Sequence, residues 1–174
     1  MDQSALLVID MLNDFVLEGA PLEVPATRTI IPPIQNEIEK ARNNHIPVIY
    51  ICDAHDENDP EFVRMGWPAH ALSGTKGAEV IDDLKPLPQD TIIHKQSYSA
   101  FFATSLDLVL QKSSIAELCI TGCVTNICVL YTAADAVQRG YRVTILRNCV
   151  AGLNLHDHEC ALRQMKEVLG AQIL

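Results

Sequence analysis

Positive charge is scarce in this chain and thinly spread. Of 174 residues, 13 are Lys or Arg, scattered singly, against 22 Asp or Glu, which leaves a formal net charge of −9. A surface that meets a phosphate backbone needs a contiguous basic field, and isolated lysines do not make one, so nucleic acid is not an expected partner. Long hydrophobic runs are also missing. No stretch approaches the roughly 20 apolar residues a membrane helix requires, and no membrane span is expected. The opening "MDQSALLVIDML" places no basic segment ahead of its apolar stretch. That is not the pattern of a secretory signal, and the cytoplasm is the expected compartment. There is no CxxC pair among Cys52, Cys119, Cys123, Cys128, Cys149 and Cys160, which removes the usual thiolate zinc site. In a reducing compartment most of these cysteines are expected to serve as small buried hydrophobes. Internal repeats and low-complexity linkers are absent too, so residues 1–174 read as one domain.

What is present is a regular alternation. Short apolar runs, "ALLVID" (5–10), "IPVIYIC" (46–52), "DTIIHK" (90–95), "AELCITG" (116–122) and "YRVTILRNC" (141–149), have the length and β-branched content of strands buried on both faces. Between them lie helical patterns over 27–44, 104–113, 125–139 and 156–169, with a final "AQIL" after the last. Strict alternation of this kind predicts an α/β, three-layer Rossmann-like sandwich: a mainly parallel sheet of about six strands with helices on both faces. The stretch 53–89 lacks periodicity and is too long for an idle connection, which makes it a candidate functional loop.

In such sheets ligands sit outside the carboxyl ends of the strands. Asp10 closes the first strand, Asp53 follows the second, Lys95 closes the third, and Cys128 comes just after the fourth. A cysteine nucleophile needs an electropositive neighbour, a helix N-terminus or a base. Cys128 falls in the first turn of the helix read from Thr125, Lys95 would supply the charge, and Asp10 could accept the thiol proton and return it to a leaving amine. In "GCVTN" the backbone N–H groups of Val124 and Cys128 are the pair expected to point at a developing oxyanion. Each residue alone has a plainer reading, as a turn Asp, a solvated Lys or a core Cys; three together at matching strand ends favour chemistry. In the long loop, Asp53 and His55 are two apart and share one side of an extended chain, and His70 would complete three mixed oxygen and nitrogen ligands for Zn, Mn or Fe. His156 and His158, two apart on a helix, do not share a face and are expected at a cap or on the surface.

These residues carry a resemblance. "LLVIDMLNDF", "HKQSYSAFFATSLD" and "ITGCVTNICV" are similar to the Asp, Lys and Gly-x-x-Thr-x-x-Cys-Val motifs of the isochorismatase-like cysteine hydrolase superfamily, in the right order and over nearly the whole chain. Its nicotinamidase/pyrazinamidase branch is the one resembled. The resemblance implies catalytic Asp10, Lys95 and Cys128, a thioester intermediate, and a non-proline cis peptide at Cys123–Val124. It also implies a divalent metal held by Asp53, His55 and His70 with Glu61 as the fourth candidate, and aromatic walls from Phe15 and Trp67 for a flat ring. A homo-oligomer and a small-molecule amide substrate are further implications. One departure stands out: Ala54 occupies a position where nicotinamidases commonly carry Trp. The leading expectation is therefore an amidohydrolase acting on a nicotinamide- or pyrazinamide-like amide to give acid and ammonia. The alternatives are an N-carbamoyl amide hydrolase, similar to N-carbamoylsarcosine amidase, and a catalytically silent binding member of the fold.

Overall fold

The structure, a computed structural model, describes residues 3–174. Strands β1 (Gln3–Ile9), β2 (Val48–Asp53), β3 (Thr91–Lys95), β4 (Ile115–Cys123), β5 (Arg142–Ala151) and β6 (Gln172–Ile173) form one sheet in the order β3-β2-β1-β4-β5-β6. Every pairing in it is parallel. Burial on both faces explains the near-continuous apolar sequences of the central strands, and all six residues of β2 are buried. The edge strand β3, expected to be buried on both faces, instead exposes Ile92 and His94 because no strand among the described residues covers its outer edge. Alternate side chains of β1 enter different cores: Ala5, Leu7 and Ile9 face one, Leu6 and Val8 the other.

Helix α2 (Thr27–Asn43) covers one face through Ile30, Ile34, Ile38 and Ala41, a stripe at helical spacing. Pro32 and Pro33 lie inside it and withhold hydrogen bonds from the carbonyls one turn earlier. Burial of that isoleucine stripe, at about 1.5–3 kcal/mol per side chain, outweighs the loss. Helices α4 (Leu106–Lys112), α5 (Leu130–Gln138) and α6 (Leu155–Glu167) cover the other face with Leu106, Leu110, Ala133, Ala136, Leu162 and Met165. Among the described residues no helix is long and apolar enough to cross a membrane.

The helix read over 125–139 opens as a π-type turn at Thr125–Val129, closed by Val129 N–H donating to Val124 O at 3.3 Å, and runs straight into α5 at Leu130. Such turns gather at functional sites, and this one carries Cys128. The aperiodic stretch 53–89 folds α3 (Pro60–Met65) and two single 3₁₀ turns at Lys76–Ala78 and Asp82–Leu84. The short α1 (Asn13–Val16), which precedes α2, had no sequence signal because four residues cannot show a period.

Register decides what meets at the sheet edge. Ile9 pairs with Ile51 and with Gly122, and Asp53 pairs with Lys95, so the carboxyl ends of β1 to β4 are flush. The strand order reverses between β1 and β4, and the crevice of a doubly wound sheet opens at that point. Gly122 makes the approach possible: it has φ +107°, and a Cβ there would stand 1.9 Å from the carbonyl oxygen of Ile9. Neither the conformation nor the space accepts a side chain. Gly122→Ala should therefore cost about 3 kcal/mol or more, read as a drop in the urea midpoint with unchanged slope.

Candidate active site and cation cluster

Asp10 leaves β1 in the left-handed region, φ 52°, and its N–H donates to Ile51 O at 2.8 Å. Asp is among the few side chains that tolerate this conformation. Its Oδ1 accepts the N–H of Asp53 at 2.9 Å, and its Oδ2 lies 2.8 Å from Lys95 Nζ without a directed hydrogen bond. Lys95 also pairs with Asp53 Oδ1 and reaches Cys128 Sγ at 3.4 Å. The three residues expected at matching strand ends thus meet around one ammonium, all buried.

The charges of this group are coupled. Burial, joined by repulsion from Asp53 and opposed by Lys95, pushes the Asp10 carboxyl up to about 6. For Asp53 burial acts in the same direction, but Lys95 and His55 prevail and hold it below the usual carboxylate range. Burial would lower Lys95; Asp10, Asp53 and the thiol raise it well above its ordinary value. The Cys128 thiol is pushed well up by burial, with Asp10 and Asp53 adding to the rise and Lys95 opposing it. Burial and the two carboxylates thus push Cys128 toward the thiol form, against the pull of Lys95.

The peptide Cys123–Val124 is cis, at the position the motif implies. The N–H of Val124 has no acceptor among the described residues, and Val124 and Cys128 line the same pocket. That pocket also takes in Asp10, Phe15, Trp67 and His70 and encloses about 490 Å³ of non-protein space, counting its open mouth. Phe15 and Trp67 both stand against the His70 ring, at centroid distances of 5.5 and 6.1 Å.

The loop cluster forms because the chain doubles back. His55 N–H donates to Ala71 O and Ser73 N–H to His55 O, both at 2.9 Å, which ties the segment after His70 alongside the end of β2. Asp14 Oδ2 accepts the N–H of Ala71 at 2.8 Å and fixes that segment from the other side. Donor atoms of Asp53, His55 and His70 come within 4.8 Å of one another, all buried. Glu61, in the first turn of α3, points Oε2 at His55 Nε2 from 3.7 Å, opposite Asp53 Oδ2 at 3.6 Å. It lies outside the tight trio but beside it. His70 Nδ1 donates to Pro68 O at 2.8 Å, leaving Nε2 as its free donor atom. His55 Nε2 is buried with no hydrogen-bond partner. An orphaned imidazole nitrogen flanked by carboxylates fits a divalent cation held by Asp53, His55 and His70, with Glu61 at hand.

Several contributors had no sequence signal. Ser97, Tyr98, Ile127 and Leu153 complete the pocket from three separate segments. His158, placed by sequence at a cap or on the surface, instead meets Thr125 Oγ1 at 2.9 Å through Nδ1 and so ties α6 to the turn that carries Cys128; the cap of α6 is Asn154. His156 is exposed.

Residues 4–174 match the family model described as Isochorismatase domain. The chain belongs to the isochorismatase family. Within it, a probable inactive nicotinamidase of Arabidopsis thaliana is 35% identical, the alignment covering 95% of this chain and 89% of that protein. The crystal structure of a Pyrococcus horikoshii pyrazinamidase in complex with zinc superposes with a TM-score of 0.92 at 34% identity, over 99% of this chain and 98% of the other. An N-carbamoylsarcosine amidase structure from Thermoplasma acidophilum gives 0.89 at 33%, over 98% and 95%. This is an isochorismatase-family hydrolase fold in which a zinc-bearing relative and a carbamoyl-amide relative stand at similar distance.

In the cation-free protein, burial would lower His55, but hydrogen bonds and charge from Asp53 and Asp59 outweigh it and raise the imidazole to about 9. A cation must displace that proton, so affinity should climb with pH up to about 9 and level off above it. His70→Ala should weaken binding by at least about tenfold at any pH in that range, as removal of one ligand costs more than the 10–100-fold typical of outer groups. Competition with a chromophoric chelator measures both.

Proposed function

We propose that this protein is a cysteine amidohydrolase that cleaves a small planar amide of the nicotinamide or pyrazinamide type through a thioester. The single observation that supports this best is one pocket lined by Cys128, Asp10, Phe15, Trp67 and His70, with Lys95 bonded to the thiol and both carboxylates behind it. An aromatic-walled slot gives a flat ring burial and stacking of about 1 kcal/mol beyond area.

The chemistry follows from the protonation states. Asp10 accepts the Cys128 proton as Sγ bonds to the amide carbon, and the carbonyl oxygen takes the negative charge beside the N–H groups of Val124 and Cys128. Asp10 then protonates the amide nitrogen, the C–N bond breaks and ammonia leaves. Water, deprotonated by Asp10, attacks the thioester, the C–S bond breaks, and the acid departs as the proton returns to Cys128. Lys95 holds the carboxylate and sulfur within reach throughout. A divalent cation on Asp53, His55 and His70 would anchor an electron-pair donor of the substrate, such as a ring nitrogen, and offset the surplus negative charge around the thiol.

The carbamoyl reading keeps a specific footing: Ala54 stands where nicotinamidases commonly carry Trp, and the N-carbamoylsarcosine amidase structure is similarly close. It uses the same Cys128, Asp10 and Lys95 and needs no ring.

Protein purified without chelator should release ammonia from nicotinamide or pyrazinamide, and Cys128→Ala should lower kcat by at least about 10³-fold. Because Asp10 works as a base and its carboxyl is raised to about 6, kcat/KM should fall on the acid side below about pH 6. Turnover of N-carbamoyl compounds with none of the aromatic amides would replace the leading reading by the carbamoyl one. No turnover of either class would favour the silent reading.

A further inference from the structure

The acidic stretch after β2 contains one residue that differs from its neighbours. Asp56 and Glu57 are exposed, whereas Asp59 is partly buried and both its carboxylate oxygens are engaged. Oδ2 meets His55 Nδ1 at 2.9 Å, and Oδ1 accepts the N–H of Glu61 at 2.8 Å, capping α3 ahead of Pro60. Asp59 does not line the pocket that holds Cys128; it faces the polar cavity on the outer side of the loop. It therefore touches neither the thiol nor a ligand bound beside it.

We propose that Asp59 is the positioning residue of the cation cluster, setting the tautomer of His55 and the seat of Glu61 with one carboxylate. The inference rests on the reading that Asp53, His55 and His70 bind a divalent cation. A carboxylate only accepts, so His55 must carry its hydrogen on Nδ1. Once a cation displaces the second proton, Nε2 is the nitrogen whose lone pair faces the gap between Asp53 and Glu61, 3.6 and 3.7 Å away. With the opposite tautomer the lone pair would point at Asp59 and the cluster would lose its imidazole ligand. The second oxygen fixes the first turn of α3 and hence the direction of Glu61. Partners behind metal-binding imidazoles orient the ring and raise its basicity, and their loss typically costs about 10–100-fold in affinity.

Asn is the discriminating replacement. It caps helices as well as Asp does, but its amide can satisfy only one of the two tasks. With the oxygen on Glu61 N–H, the NH₂ faces His55 Nδ1 and, being a donor, drives the imidazole hydrogen to Nε2, where the cation would bind. With the amide turned over, the tautomer is restored and the cap is lost.

Zn²⁺ affinity, read by chelator competition at a fixed pH, compares wild type, Asp59→Asn and Asp56→Asn, which removes the same charge from the same loop. The expected result is about one Zn²⁺ per wild-type chain, affinity weakened about 10–100-fold in Asp59→Asn and less than about twofold in Asp56→Asn, with the cation-free Tm of Asp59→Asn within a few degrees of wild type. Should that Tm fall further, Asp59→Ser takes its place, keeping a cap while leaving His55 Nδ1 without a carboxylate. Unchanged affinity on replacing Asp59, or equal loss in both variants, overturns the positioning role and leaves the cation site intact. A wild type that binds no Zn²⁺ overturns both, and ammonia release by the same preparation then shows whether the cysteine chemistry stands without them.

Discussion

The Lys95 ammonium is the interaction on which the site depends. It is buried at the end of β3 against Asp10, Asp53 and the Cys128 thiol, groups from three other segments. Carboxylates on adjacent strand ends would repel one another in a low-dielectric interior, and the ammonium between them makes their burial tolerable. Removing one partner from such a group typically costs about 3–5 kcal/mol, because the rest are left uncompensated. The same ammonium that reconciles the strand ends with burial also acts on the charges of Asp10, Asp53 and Cys128, so on the proposed reading structural and chemical roles share one side chain.

Around that centre, tasks divide by rigidity. Strands β1, β2 and β3 supply the charged groups in fixed register, and the π-type turn after β4 delivers the sulfur. Ser99, just beyond Lys95, donates to Asp135 at 2.5 Å, and Thr132 Oγ1 accepts Ala100 N–H at 3.0 Å, so the segment after β3 is fastened to the helix that begins at the Cys128 turn. His158 holds the same turn from α6. The loop between β2 and β3 contributes the groups that would choose a ligand: His55, Glu61, Trp67 and His70. On the proposed reading the sheet edge carries the reacting groups, and the loop that would choose the ligand takes its shape from hydrogen bonds at His55, Asp14 and Asp59. That division fits a family in which pyrazinamidase and N-carbamoylsarcosine amidase superpose almost equally well on this chain.

Much of the architecture was legible in the sequence because burial on both faces leaves a strong trace: β2 is apolar through Cys52, and the helices that cover it repeat at Ile30, Ile34 and Ile38. Asp10, Lys95 and Cys128 were legible for a related reason, since each ends or follows a short apolar run and parallel strands end together on one side. The loop partners were less so. Asp59 looks like any acid in an acidic stretch until α3 turns its carboxylate toward His55. Ser97, Tyr98 and Leu153 belong to segments with no common spacing.

The sequence alone determined the strand and helix alternation, the residue types at the strand ends and the family, because these depend on local pattern and on motifs read in order. The tertiary structure decided the flush register that gathers Asp10, Asp53 and Lys95 and the π-type turn beneath Cys128. It also decided which nitrogen of His55 faces the cluster. Each of these depends on distances of 3 to 4 Å between residues tens of positions apart, with charges felt through a buried medium. Local sequence carries neither the distance nor the dielectric.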